Sequence, residues 1–355
     1  MDGVDAGLIE TDGTKISTFG PTAFIPYEGG FVESLKGLLG PDPHLRPNYD
    51  HIVGELTALN GDAVEKLLIE NDLLPDSIHV IGYHGQTVYH APGDGITIQL
   101  GDGQALADRT RITVVNDFRS ADMAGGGQGA PFAPIYHQVL SLTLEKPLAV
   151  LNLGGVGNVT VLGPGEAGGK NGEDEILAFD TGPASALIDD WVFGITGQAY
   201  DDGGKLAAVG TVDNNALDQL MDHPYFDLAP PKSLDRNDFD ASPVANLTLE
   251  DGAATLNAFT VKSIVRACDH LGHKPKRWLV CGGGRHNQTM MRTLNEALEV
   301  PVEPVEVVGW QGDALEAQAF ALLAVRNLYG LPTSLPSTTG TAKPISGGVV
   351  YQPRS

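Results

Sequence analysis

Apolar and polar positions along the chain switch between two periods. Ala6-Gly7-Leu8-Ile9-Glu10 and Lys15 to Phe19 predict two strands around Thr11-Asp12-Gly13, an Asp-Gly hairpin signal. From Phe31 to Leu74 the period becomes helical, with Leu56, Leu59, Ala63, Leu67 and Leu68 on one face. Ile78 to Gly82 then predicts a buried strand, as do Ile96 to Leu100 and Ile112 to Val115, with a short helix at Ala105 to Arg109. A second hairpin falls at Leu148 to Val161, turning at Gly154-Gly155. Ile176 to Phe179 predicts a strand ending at Asp180, then a Thr-Gly-Pro turn and a helix opened by Pro183 or Ser185. Leu256 to Leu271 reads as an amphipathic helix and Trp278 to Cys281 as a strand. An alanine-rich helix from Ala314 to about Tyr329 is expected to pack closely on a neighbour. Alternating strands and helices predict α/β layering, and 355 residues exceed one ordinary core, so two domains are expected.

Composition narrows the partners. A formal net charge of −23 argues against nucleic acid or an anionic membrane, without forbidding an anionic substrate held by local donors. Cys268 and Cys281 form neither a disulfide framework nor a metal-ligand spacing. No apolar stretch reaches membrane-spanning length and no leader pattern is visible, so a reducing cytoplasm is expected.

Candidate chemistry collects where strands end. Asp180 would project at the carboxyl end of a strand beside a helix N-terminus, where ligands gather in α/β sheets; the same position also suits a plain helix cap. Gly125 to Pro131 is either a flexible surface loop or one whose backbone approaches a ligand. Gly282-Gly283-Gly284, between strand and helix, would place backbone donors at a nucleotide. There is no GxxxxGK[ST] loop and no GxGxxG with a later acidic ribose partner, so P-loop and Rossmann readings fall.

The motifs DGVDAGL (2–8), IGYHGQTV (81–88), NDFRSADMAGGGQGAPF (116–132), LNLGGVGNVT (151–160), FDTGPASALID (179–189), PPKS (230–233), VCGGGRHN (280–287) and DALEAQAFA (313–321) follow in order. On them the chain resembles the anhydro-N-acetylmuramic acid kinases, of the actin/hexokinase/Hsp70-like ATPase superfamily. Tyr83 and Ala184-Ser185 depart from the usual family residues. The resemblance implies two actin-like (ribonuclease H-like) α/β domains around a nucleotide cleft. Their expected spans are 1–136 and 137–355, with the last helix and tail able to return to the first.

It also implies ATP and Mg²⁺, a cytoplasmic homodimer in peptidoglycan recycling, and hydrolytic opening of the 1,6-anhydro sugar with phosphorylation of O6. Asp180 matches the general base. Met1, Asp2, Gly3, Val4 and Asp5 match the first phosphate hairpin, and Asn152, Gly154, Gly155 and Asn158 the second. Gly282, Gly283, Gly284, His286 and Asn287 would lie by the nucleoside. His84, Gln86, Asp117, Arg119, Gln128 and Glu316 would face the sugar or hold its loops, with Arg119 on the lactyl carboxylate. Asp2 or Asp180 would meet Mg²⁺. The family's opening strand and its Ser-Gly-Thr-Ser are expected ahead of Met1. A kinase for another amino sugar, and a nucleotide-binding scaffold without turnover, remain open.

Overall fold

The computed structural model describes residues 3–164, 176–234 and 238–354. The chain opens with β1 (Gly3–Thr11) and β2 (Ile16–Pro26), an antiparallel pair joined through Asp12, whose carboxylate accepts from the Thr14 and Lys15 amides. Helices α1 (Gly29–Lys36) and α2 (Tyr49–Glu70) follow. A single helical region was expected across this stretch; Pro41, Pro43 and Pro47 divide it, because proline removes a donor and crowds the preceding turn. Next come β3 (Ile81–Gly82), β4 (Gln86–Ala91), β5 (Ile96–Leu100), α3 (Gly103–Thr110), β6 (Val114–Asn116), α4 (Phe118–Ala124) and α5 (Ala133–Leu140). The strand expected over Ile78 to Gly82 shrinks to its last two residues and is only half-buried.

A second series follows: β7 (Leu148–Leu153), β8 (Val156–Leu162), β9 (Ile176–Pro183), α6 (Ser185–Thr196), α7 (Lys205–Val209), α8 (Asn214–Met221), α9 (Leu249–Ala267), β10 (Trp278–Cys281), α10 (Gln288–Leu298) and β11 (Val302–Pro304). The chain closes with α11 (Leu315–Leu328), α12 (Pro336–Thr339) and β12 (Val349–Tyr351). Two compact units result: residues 1–142 with 314–355, and residues 143–313.

In the second unit one mixed sheet runs β11-β10-β7-β8-β9. β7, β10 and β11 are parallel, while β8 and β9 return antiparallel. Leu151, Val159, Phe179 and Trp278 join Phe259 and Ile264 of α9 in its core. The first unit holds three smaller sheets, β1-β2, β4-β5 and β12-β6-β3. α11 packs against both β1 and β3, as its small residues allow. A Cβ on Gly82 would lie 1.9 Å from the Phe320 carbonyl, so only glycine fits that crossing.

Candidate active site

β9 does not stop at Asp180. Beyond a bulge, Gly182 pairs with Gly157 and Pro183 with Val156, so the expected turn is strand, and α6 starts at Ser185. Pairing register then does what sequence spacing cannot show. Asn152 lies opposite Cys281 on one side and Asn158 on the other, and Asn158 lies opposite Asp180. Directly opposed residues share a face of the sheet with Cβ atoms roughly 4.5–5.5 Å apart. Asn152, Asn158 and Asp180 therefore form a polar row across three strands.

The row ends in a perturbed acid. Burial raises the Asp180 pKa to about 7, opposed by a hydrogen bond from the Leu234 amide to Oδ2 at 2.8 Å. The Asp180 amide donates to the Lys232 carbonyl at 3.0 Å, and the Tyr225 hydroxyl donates to the Asp180 carbonyl at 2.6 Å. Lys232 is buried, with Nζ 4.6 Å from the Tyr225 ring and 3.1 Å from its carbonyl, and burial lowers its pKa. The segment 230–234 thus clamps Asp180 from outside its own strand. Sequence reasoning gave these residues no part; PPKS was the only signal.

Glycine turns flank the row. The carbonyls of Gly154 and Gly155 accept from Ala184, Ser185 and Ala186, so these amides of the α6 start are not free for an anion, contrary to expectation. The exposed Gly155 backbone faces outward at the hairpin tip. Gly282, at φ 76°, passes so close to the row that a Cβ would lie 2.4 Å from Asn152 Oδ1. A Cβ on Gly283 would meet nothing within 4 Å, leaving open space there. Arg285, buried, fixes this loop by donating to Gly282 O (3.0 Å), Glu306 (2.9 Å) and Asp313 (2.7 Å). His286 is exposed, whereas the Asn287 side chain caps α10 by accepting from the Met290 amide at 2.9 Å.

The sugar-side candidates belong to the first unit. Arg119 Nη2 lies 2.7 Å from His84 Nε2, and Nη1 donates to the Gly129 carbonyl at 2.5 Å. Burial and the Arg119 charge push the His84 pKa well below its ordinary value, so His84 is neutral and accepts from the guanidinium through Nε2. It stacks on Phe320 at 4.4 Å, and its Nδ1 lies 3.9 Å from Glu316 Oε1. Gln128 neighbours Gly129 and donates its amide to Thr339 O at 2.7 Å. The glycine stretch is an ordered loop: Asp122, fully buried, accepts from the Gly129 amide (2.7 Å) and the Thr339 hydroxyl (2.7 Å). Asp122 escaped sequence reasoning because its partners are set by folding. Asp117 serves as the α4 cap, accepting from Ser120 N and Oγ. Gln86 lies in β4 and lines one cavity with His84 and Glu316. Gly3, Val4 and Asp5 are strand residues of β1 paired with Pro26, Ile25 and Phe24; Met1 and Asp2 lie outside the described residues.

Mg²⁺ usually keeps several waters and takes one or two carboxylates with substrate phosphates. Among the described residues no group of three metal-ligating side chains occurs, while the single carboxylate of Asp180 suits an ion that arrives with a nucleotide. No helix among them is long and apolar enough to cross a membrane.

A desolvated carboxylate poised near neutrality, in a polar row edged by glycine turns of an α/β sheet, is a group able to exchange a proton with a hydrophilic ligand. The sequence profile of the anhydro-N-acetylmuramic acid kinases matches residues 1–353, and the chain belongs to that family. The chain is 47% identical to the anhydro-N-acetylmuramic acid kinase of Rhizorhabdus wittichii, over 99% of this chain and 96% of that one. It is 46% identical to the kinase of that name from Paramagnetospirillum magneticum, over 99% and 97%. Among solved structures, component A of (R)-2-hydroxyglutaryl-CoA dehydratase from Acidaminococcus fermentans aligns with a TM-score of 0.45 at 12% identity, over 93% of this chain and 100% of that one.

Proposed function

We propose that the chain is an ATP-dependent kinase that opens 1,6-anhydro-N-acetylmuramic acid with water and phosphorylates O6, giving N-acetylmuramic acid 6-phosphate. The observation that carries this reading is Asp180: a carboxylate raised to about 7 is half-ionised near neutral pH, where a general base is most effective. Water adds to C1 as its proton passes to Asp180, the C1–O6 bond breaks, and O6 takes the γ-phosphoryl group while ADP departs. The proton on Asp180 is then released to solvent. The Leu234 amide holds the carboxylate and the Lys232 carbonyl holds the Asp180 amide, while Asn158 and then Asn152 continue the same polar row. Magnesium, when bound with the nucleotide, neutralises phosphate charge.

Arg119 meets the lactyl carboxylate through its half-buried positive charge, with His84 and Glu316 ordering the same patch. Gly155 and Gly283 leave backbone open to phosphate and nucleoside. The family membership favours this activity over a different amino sugar or a scaffold without turnover. We place the enzyme in the cytoplasm, as a homodimer, on the strength of the resemblance alone. The test is incubation with ATP and the acidic sugar at varied pH. A kcat/KM that rises through about pH 7 and levels off supports Asp180 as base, and a flat profile from pH 5 to 9 removes it.

A further inference from the structure

Arg119 and Asp122 stand three residues apart on α4, the spacing at which opposite charges usually pair directly on a helix. Here they meet through a loop instead. Arg119 Nη1 donates to the Gly129 carbonyl at 2.5 Å, and the Gly129 amide donates to Asp122 Oδ2 at 2.7 Å. Asp122 Oδ1 accepts from the Thr339 hydroxyl at 2.7 Å, so each carboxylate oxygen holds one donor. Burying a carboxylate with no cation in contact is costly, and Asp122 is fully buried. Its charge acts on Arg119 at one remove: burial lowers the Arg119 pKa, and the carboxylates of Glu316 and Asp122 oppose that.

The guanidinium keeps binding capacity. Nη2 faces His84 Nε2 at 2.7 Å, Nη1 faces Gly129, and the buried Nε has no partner among the described residues. Such a fork takes a carboxylate through two parallel N–H groups, which requires its plane to be set beforehand. The Gly129 carbonyl sets it from one side. Gly129 is set in turn by Asp122, and the neighbouring Gln128 amide donates to the Thr339 carbonyl at 2.7 Å. Thr339 therefore holds both the loop and the carboxylate that orders it. Every member of this chain of contacts lies in the first unit.

We propose that Asp122 is a positioning residue for recognition of the sugar's acidic group: anchored by Thr339, it fixes Gly129, and Gly129 fixes the Arg119 guanidinium. The inference rests on the reading of Arg119 as partner of the lactyl carboxylate. It makes preference for the acid depend on a residue that is itself sealed from solvent. Without the Asp122 carboxylate the Gly129 loop is released and the guanidinium loses its fixed plane. Affinity for the charged sugar then falls, because the ordering has to occur on binding, while contacts to the rest of the ring stay.

Calorimetry with 1,6-anhydro-N-acetylmuramic acid and with its lactyl carboxamide, which lacks the charge, reads this without turnover. The wild type is expected to bind the acid at least about tenfold more tightly than the carboxamide, and Arg119→Ala to abolish that preference. Asp122→Ala should remove most of it, with the carboxamide affinity unchanged. Asp122→Asn can still accept from Gly129 and donate to Thr339, and should restore most of it. Combining Asp122→Ala with Arg119→Ala should lower the preference no further than Arg119→Ala alone, because contacts in one chain are not additive. Should Asp122→Ala fail to fold, Thr339→Val releases one carboxylate oxygen and is expected to lower the preference about threefold or more. A preference kept in Asp122→Ala, or in Thr339→Val where that is the variant that folds, overturns the inference alone when Arg119→Ala abolishes it. So does an equal loss for acid and carboxamide, which would make Asp122 a plain structural anchor. A preference that survives Arg119→Ala overturns the reading of Arg119 as well.

Discussion

The two units solve the same problem to different degrees. In residues 143–313 five strands pair without interruption, and the polar row of Asn152, Asn158 and Asp180 exists only because three neighbouring strands hold register. In the first unit the pairing breaks between β1 and β3, although one helix covers both. Strand continuity is what aligns distant residues into a site. Where it fails, as between β1 and β3, a helix packed on both strands, α11, holds the layer instead.

The largest expected effect lies in the complete sheet. Asp180→Asn keeps the shape and the acceptor for Leu234 but removes the base, so turnover should fall by about 10²–10⁴-fold with nucleotide affinity retained. Steady-state kinetics beside a nucleotide titration checks this, and near-normal turnover would free Asp180 from the role. Arg119→Ala comes next: the KM for the acidic sugar should rise about tenfold or more, with little change for ATP. An equal rise for both would make Arg119 a scaffold for the Gly129 loop.

Stability changes come after these. Gly282→Ala forces a side chain into a left-handed residue and against Asn152, at roughly 1–3 kcal/mol, while Gly283→Ala meets open space. Melting should drop by roughly 4–10 °C in the first variant and hardly move in the second. Equal melting in the two would contradict the close approach at Gly282. A stability effect of similar size, confined to a pH window, lies in the titration of Asp180. The Asp180 pKa is about 7 folded against 3.8 for a free aspartate side chain, so the folded state binds the extra proton between those values. Wild-type stability from this group is full below about pH 4 and lost as pH rises through 7. Asp180→Asn should therefore gain roughly 1–3 kcal/mol relative to wild type between pH 5 and pH 8, read by denaturant unfolding.

Local patterns made both hairpins and the crossing of α11 legible, because turn residues and small-residue runs act over a few positions. Asp180 was visible as a strand-end acid, yet its clamp by Leu234 and Lys232 was not, since that contact spans more than fifty residues and depends on a loop with no periodic signal. Asp122 and Arg285 were missed for the same reason: their partners, Thr339 and Asp313, meet them only in the fold. The end of β9 was misplaced because Thr-Gly-Pro is a turn signal that pairing with Val156 and Gly157 overrides. Ile81 and Gly82, expected in a buried strand, are half-buried because β3 is an end strand of its sheet.

The most direct test of the central claim is product identity. The chain is incubated with 1,6-anhydro-N-acetylmuramic acid, ATP and Mg²⁺, and the sugar is weighed by mass spectrometry. The account predicts a species heavier than the substrate by one water and one phosphoryl group, absent when Asp180 is replaced by Asn. A sugar left unchanged, or opened by water without gaining phosphate, would contradict it.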